Sequence, residues 1–194
     1  MKFFEEFSSN TIFAINQIDL NQISKFTKVL LNLKKKNGRM FVAGVGGSAA
    51  NASHLVNDFR KLTNIECYSI SDNISELTAR INDDGWENSY VDYLKVSKFN
   101  KRDIVLILSV GGGSINKKVS LNLIKVIQYA NKINSKSISI VSHLGGYAKL
   151  KCNLSIIIKV KNKNLITPIS ETMQSFIWHF IVSQSILKVN RTKW

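Results

Sequence analysis

Residues 39–48 read RMFVAGVGGS, and residues 104–114 read IVLILSVGGGS. Each stretch is a short apolar run that ends in a glycine-rich turn, and a pattern typical of a helix follows each one. The continuous apolar run at 104–109 is typical of a strand buried on both faces of a parallel sheet. The two stretches therefore predict strand–loop–helix units of an α/β protein.

The same alternation continues outward along the chain. Further strands are predicted at 66–70, 137–141 and 154–160, and further helices at 49–62, at 117–132 and on either side of the polar stretch NDDG (82–85). Strands that alternate with helices predict a parallel sheet with right-handed crossovers and helices on both faces. We expect one domain over 1–194, with an N-terminal helix at 11–34, the sheet and crossover helices at 39–160, and a C-terminal helix at 168–188.

The composition narrows the class of protein. The chain has 194 residues, 44% of them hydrophobic, and its 27 Lys and Arg against 13 Asp and Glu give a net charge of +14. A basic chain can bind phosphate or nucleic acid, but no nucleic-acid motif is recognisable. No apolar run reaches the roughly 18 residues that cross a bilayer. Two early glutamates argue against a signal peptide, and the well-separated Cys67 and Cys152 read as reduced thiols, so we expect a cytoplasmic protein.

Both glycine loops follow strands, and ligands of open α/β sheets bind at the carboxyl ends of strands. Glycine lets backbone N–H groups approach an anion, and the next helix adds the free N–H groups of its first turn. Ser48, Ser109 and Ser114 could add hydroxyl donors. Neither the dinucleotide fingerprint nor a P-loop is present. We predict phosphate binding, the alternative being that tight turns need glycine for steric reasons alone.

Imidazoles and carboxylates are placed within reach of the first loop. His54 and Asp58 lie four apart, on one face of the helix that this loop opens. In the final helix His179 follows Glu171 by eight residues, about 12 Å along an ideal helix. These groups suit a divalent metal site or acid–base chemistry. From spacing alone the simpler alternative is that His54 caps an edge of the core, that His179 is an interior residue with satisfied polar atoms, and that His143 lies in a loop. The acidic pair of NDDG most simply caps or turns the chain.

Several ordered motifs together resemble the sugar isomerase (SIS) domain proteins, specifically the phosphoheptose isomerase group. The resemblance covers nearly the whole chain to about residue 188. The matching motifs are GVGGSAANASHLVNDFRK (44–61), SDNISELTARINDDGWEN (71–88), SVGGGS (109–114), HLGGYAKL (143–150) and TPISETMQSFIWHFIVS (167–183).

This resemblance implies a three-layer α/β/α sandwich with a five-stranded parallel sheet in flavodoxin-like order. It also implies a homotetramer with active sites at subunit interfaces, and isomerisation of sedoheptulose 7-phosphate to D-glycero-D-manno-heptose 7-phosphate for surface polysaccharide synthesis. Carried over by position, the catalytic residues are Asp58, Glu171 and His179, with either carboxylate as base and His179 as acid. A divalent ion, expected to be Zn²⁺, would be held by His54, Asp58, Glu171 and His179. The substrate and its phosphate would be bound by Gly46, Gly47, Ser48, Asn82, Asp83, Ser109, Gly111, Gly112 and Ser114.

The chain departs from the usual pattern of the group. The common loop STSGNS is replaced by SVGGGS, which loses two hydroxyls. Val45 replaces a substrate-contacting Asn, Asp58 stands where Glu is usual, and Glu171 stands where Gln is usual. The alternative function is a non-catalytic SIS protein that binds a phosphosugar or docks on a protein partner such as a replication initiator. Because that role does not need the imidazole and carboxylate positions, their presence favours an enzyme.

Overall fold

A parallel sheet forms the centre of the molecule, which we describe from a computed structural model of residues 1–192. The strand order is β2-β1-β3-β4-β5, which confirms the predicted flavodoxin-like order. The strands are β1 (Met40–Ala43), β2 (Cys67–Ser69), β3 (Ile104–Ser109), β4 (Lys136–Ser142) and β5 (Leu154–Ile158). The order reverses between β1 and β3, so the loops that follow these two strands flank the crevice where ligands of such sheets bind.

Helices cover both faces of this sheet. They are α1 (Lys2–Asn16), α2 (Leu20–Lys35), α3 (Gly47–Asp58), α4 (Ile74–Asp84), α5 (Ser89–Val96), α6 (Leu121–Lys132), α7 (Gly146–Lys151) and α8 (Ile166–Val182). Alternate strand residues point to opposite faces. Met40 and Val42 therefore pack with α2, α3 and α8, whereas Phe41 and Ala43 pack with α5 and α6. The sandwich has three layers, as predicted.

The N-terminal region is helical, but the single helix predicted at 11–34 is wrong in its bounds. Two helices replace it, and the residues between Asn16 and Leu20 are not helical. The Asp19 side chain accepts hydrogen bonds from the backbone N–H groups of Asn21 and Gln22 and so caps the start of α2. Asp19, which lies inside the single helix that was predicted, is thus the cap of a second helix.

Other helix bounds also differ from the predictions. The helix predicted from 117 begins at Leu121, because Ser114 and Val119 exchange backbone hydrogen bonds and form a bridge first. The C-terminal helix spans Ile166–Val182 rather than 168–188, with Pro168 inside its first turn. Most of the NDDG stretch lies inside a helix rather than between two helices. The helix α4 continues to Asp84 and ends at Gly85. No helix within residues 1–192 is long and apolar enough to cross a membrane.

Candidate functional site

The first glycine loop connects β1 to α3 at the carboxyl edge of the sheet. Gly46 precedes the helix with a φ of 63°, a conformation that favours glycine. The backbone of Gly44 packs against that of Ser48, and the Tyr90 hydroxyl donates to the Gly44 carbonyl over 2.7 Å. Steric need therefore accounts for part of this loop. The N–H groups of Ala49 and Ala50 donate to the Gly46 carbonyl, so those of Gly47 and Ser48 are the two at the start of α3 that a ligand could use.

The second glycine loop is largely committed to packing. Gly112 donates its N–H to the Ser109 hydroxyl over 3.0 Å and accepts at its carbonyl from the N–H of Ala148 over 2.9 Å. Gly112 is buried with a φ of 69°, and a Cβ there would overlap the Gly145 carbonyl. Gly111 is exposed, with open space around it. Of the two predicted ligand-binding glycines in this loop, only Gly111 faces solvent.

Polar side chains fix the register between α3 and α8. The Gln174 amide donates to the buried Ser48 hydroxyl over 3.1 Å, and the Asn51 amide donates to the Glu171 carbonyl over 2.9 Å. Asn51 also accepts a hydrogen bond from the Ser175 hydroxyl of α8, over 2.8 Å. This register brings the later residues of the two helices together. The sequence predictions did not include Asn51 or Gln174, although Gln174 and Ser170 are the two polar residues on the buried face of α8.

His54, Asp58 and His179 form a cluster at the surface. Their ligand atoms all lie within 4.8 Å of one another. The Asp58 Oδ2 atom lies 3.6 Å from Nε2 of His179 and 3.9 Å from Nε2 of His54. The side chains of His54 and His179 are 57% and 47% exposed, so the alternative of an interior His179 is wrong. The fold thus joins three of the residues that were predicted as metal ligands.

The hydrogen bonds of the cluster suit a divalent cation. Nδ1 of His179 lies 2.9 Å from the Ser175 carbonyl, which only accepts, so Nδ1 carries a proton and Nε2 is the ring atom that faces Asp58 and could bind a metal ion. The Asn57 amide donates to Asp58 Oδ1 over 2.9 Å, which leaves Oδ2 facing both imidazoles. Two atoms bound to one tetrahedral Zn²⁺ lie about 3.3 Å apart. Converging lone pairs at nearly this spacing fit a metal ion, with a coordination position open to solvent.

Glu171 is not part of this cluster, and its predicted place among the metal ligands is wrong within one chain. Two turns of α8 separate it from His179, as the helical rise requires. Its carboxylate lies instead beside Gly47 at the start of α3, with Oε2 2.5 Å from the position that a Cβ would occupy. A carboxylate is favoured there by the partial positive charge of the helix N-terminus.

The remaining predicted residues are more loosely placed. Asn82 and Asp83 are exposed in the last turn of α4, where the Asn82 amide donates to Asp83 over 2.9 Å; within residues 1–192 no hydrogen bond joins them to either glycine loop. The Ser114 hydroxyl accepts from the Lys117 N–H over 3.3 Å. His143 follows β4 in a loop, as predicted, and lies outside the cluster.

Comparisons with known proteins agree with this fold. No family model matches the chain. A Thermoplasma volcanium protein named "Probable phosphoheptose isomerase" is 28% identical over 139 residues, covering 69% of this chain and 67% of its own. The phosphoheptose isomerase of Helicobacter pylori strain P12 is 26% identical over 135 residues, covering 67% of each.

The solved structures give the same result for the fold. The phosphoheptose isomerase from Neisseria gonorrhoeae superimposes with a TM-score of 0.79 at 18% identity, covering 93% of this chain and 94% of that one. The fold of this chain is therefore that of a phosphoheptose isomerase structure, and its sequence is similar to phosphoheptose isomerases over about two thirds of its length.

Proposed function

We propose that the chain is an aldose–ketose isomerase that converts sedoheptulose 7-phosphate to D-glycero-D-manno-heptose 7-phosphate for the synthesis of surface polysaccharides. The observation that carries this proposal is the solvent-facing cluster of His54, Asp58 and His179. His54 and Asp58 lie on α3, which follows the first glycine loop, and His179 lies on α8, so the cluster offers acid–base groups on two helices that border the glycine-loop edge of the sheet. The curated relatives named above support the same reaction.

The isomerisation moves a proton from C1 to C2 of the ketose through an enediol. Asp58 is the base in this proposal, because Asn57 holds one of its carboxylate oxygens and the other faces the open side of the cluster. Glu171, the other carboxylate considered as base, lies at the opposite end of the site, beside Gly47. It is assigned to the hydroxyl groups of the sugar.

His54 and His179 would hold the metal ion, and we propose Zn²⁺ because imidazoles are typical zinc ligands. Asp58 would lie beside the ion and keep Oδ2 for the substrate proton. When bound, the ion supplies a Lewis acid that stabilises negative charge at the substrate oxygens. His179 suits a ligand because its Nδ1–H is occupied by the Ser175 carbonyl. The predicted role of His179 as acid requires a second proton on the ring, so activity without metal would favour that role.

The phosphate is assigned to the second glycine loop. A carboxylate already lies at the start of α3, and two unit charges of like sign 4 Å apart repel by about 4 kcal/mol at an effective dielectric constant of 20. The second loop has no acidic residue between Ser109 and Ser114, and two lysines follow at 117–118. Ser109, Ser114 and the open Gly111 amide are the proposed phosphate contacts, whereas Gly47 is assigned to the sugar. Ser48 supports the site from the interior, where its hydroxyl accepts from Gln174.

A second copy of the chain is proposed to close the site, within a homotetramer. A groove of about 300 Å³ runs between the first two helices and α8, beside the cluster. Its apolar lining includes Leu20, Phe176 and Phe180, which are 67%, 41% and 47% exposed. Phe180 adjoins His179 in sequence, so a copy seated on this groove would also cover the exposed imidazoles. Sedimentation velocity measures the oligomeric state in solution. The Phe180→Asp variant is expected to dissociate the tetramer.

An NMR time course tests the reaction directly. Purified protein is incubated with sedoheptulose 7-phosphate, with and without a chelator, and a new aldose signal is expected only in the untreated sample and again after Zn²⁺ is restored. The His179→Ala variant is expected to give no product. Absence of turnover with every ketose phosphate tried would contradict an isomerase and favour a phosphosugar-binding or protein-docking role.

A further inference from the structure

The indole of Trp178 lies directly beneath the His–Asp cluster. We infer that Trp178 is a positioning residue that fixes the imidazoles of His54 and His179 for metal binding, an inference that rests on the metal site proposed above. Trp178 is fully buried in the core beneath α3 and α8. Its ring is thus anchored by packing on one side and in contact with both imidazoles on the other.

His54 shows most clearly why the cluster needs this support. A metal-bound histidine almost always donates its second ring N–H to an acceptor that fixes its orientation. Within residues 1–192 the His54 ring makes no such hydrogen bond, and its 3.9 Å approach to Asp58 is too long to be one. The ring contacts are aromatic: the Trp178 centroid lies 4.7 Å away with the planes at 73°, an edge-to-face arrangement.

His179 is held by the same indole in a different geometry. Its ring stacks on Trp178 with centroids 3.5 Å apart and planes at 30°. The two imidazoles lie 5.3 Å apart and nearly perpendicular to each other. One rigid, two-ring surface therefore sets the angle between two ligands that come from different helices. A leucine or a smaller aromatic side chain at position 178 would contact the two imidazoles over a smaller area.

Core packing alone does not explain an indole at this position. The Nε1–H group of Trp178 is buried and has no hydrogen-bond partner among the described residues. An unsatisfied buried donor costs free energy, which an apolar side chain of similar volume avoids. The buried indole therefore destabilises the core relative to an apolar side chain of similar volume. Its contacts with His54 and His179 account for its presence at this position.

Co²⁺, which replaces Zn²⁺ and absorbs visible light, tests the inference. The first experiment leaves Trp178 intact: in a Trp86→Phe/Trp194→Phe background it is the sole emitter among the three tryptophans of the chain. Co²⁺ is expected to quench this emission in step with the rise of its absorption bands, and Zn²⁺ to reverse both. The His179→Ala variant in the same background is expected to show neither change.

The second experiment compares Trp178→Phe with Trp178→Leu after thermal melts show that each is folded. Loss of an outer-shell partner costs about 10–100-fold in metal affinity. Trp178→Leu is therefore expected to weaken Co²⁺ binding at least about 10-fold and to alter the absorption bands, and Trp178→Phe to recover most of both. His143→Ala, outside the cluster, is the matched control and is expected to bind as the unmodified chain.

The outcomes separate this inference from the proposed function. Failure of the unmodified chain to bind Co²⁺ removes the metal site, and the inference with it. Co²⁺ binding that requires His179 but leaves the emission of Trp178 unchanged overturns the inference alone. The inference alone is also overturned if the folded Trp178→Leu variant binds Co²⁺ with the affinity and absorption bands of the unmodified chain.

Discussion

Replacing Gly112 with alanine is expected to destabilise the protein, whereas the same change at Gly111 is not. Gly112 is buried with a φ of 69°, and its new Cβ would overlap the carbonyl oxygen of Gly145. Gly111 has an ordinary φ and open space around it. The two neighbours thus form a matched pair in which only the local geometry differs.

The size of the effect follows from the contacts. A non-glycine residue held in the left-handed region costs about 1–3 kcal/mol. Moving the Gly145 turn away weakens two backbone hydrogen bonds, from Ala148 to Gly112 and from Tyr147 to Gly113, each worth about 1 kcal/mol. We therefore expect Gly112→Ala to lower the free energy of unfolding by about 3 kcal/mol or more. In a chain of this size that corresponds to a melting temperature about 6–12 °C lower.

Thermal unfolding followed by circular dichroism measures this difference, and isomerase kinetics below the melting range give the functional counterpart. Gly111→Ala is expected to change the free energy of unfolding by no more than about 0.5 kcal/mol, but to raise the KM for the sugar phosphate, since its Cβ enters the space assigned to the phosphate. Equal melting temperatures for the two variants would refute the packing role of Gly112. An unchanged KM in Gly111→Ala would remove the phosphate from that position.

Three further predictions concern titratable groups. Asp58→Asn is expected to lower kcat by at least about 100-fold with little change in melting temperature, while Asp92→Asn, which only breaks a surface ion pair, leaves kcat unchanged; a fully active Asp58→Asn would exclude it as the base. Glu171→Gln is expected to leave Zn²⁺ affinity unchanged in isothermal titration calorimetry, whereas His179→Ala abolishes it; a large loss in Glu171→Gln would make Glu171 a ligand. Burial raises the pKa of the Cys152 thiol from 9.0 to about 11, so the folded state retains a proton that the unfolded state loses, and urea unfolding should show stability falling between pH 9 and 11. That fall should be smaller in Cys152→Ala, and an equal fall in both proteins would contradict the cause given.

The sheet was predictable because each strand is a short apolar run with a clear end. β3 has the predicted bounds, Ile104–Ser109, since every residue in it is buried and no polar residue blurs its limits. The bounds of α2 and α6 were not predictable from apolar periodicity alone. They depend on Asp19 acting as a cap and on a bridge between Ser114 and Val119, and both are local hydrogen bonds that leave no periodic signal.

The residue types of the candidate site were predictable, and the family resemblance had grouped His54, Asp58 and His179 together with Glu171, but spacing alone could not show which of them meet. His54 and Asp58 lie four apart on one helix, so their shared face follows from spacing. That His179 joins them, and Glu171 does not, depends on the register between α3 and α8. Long-range hydrogen bonds set that register, above all the one from Gln174 to Ser48, and a single sequence contains no direct record of them.

The two glycine loops look alike in sequence, yet the structure gives them different electrostatic surroundings. A carboxylate from α8 lies at the start of α3, so the positive end of this helix is already offset by Glu171. The sequence of the second loop contains no carboxylate. The carbonyls of Gly112 and Gly113 accept hydrogen bonds from N–H groups of α7. An anion therefore meets less repulsion at the second loop, while neutral hydroxyl groups, which can donate to Glu171, are better suited to the first. The similarity between GVGGS and SVGGGS thus reflects a shared need for tight turns after adjacent parallel strands, and we propose that the charge beside each turn decides which end of a sugar phosphate it binds.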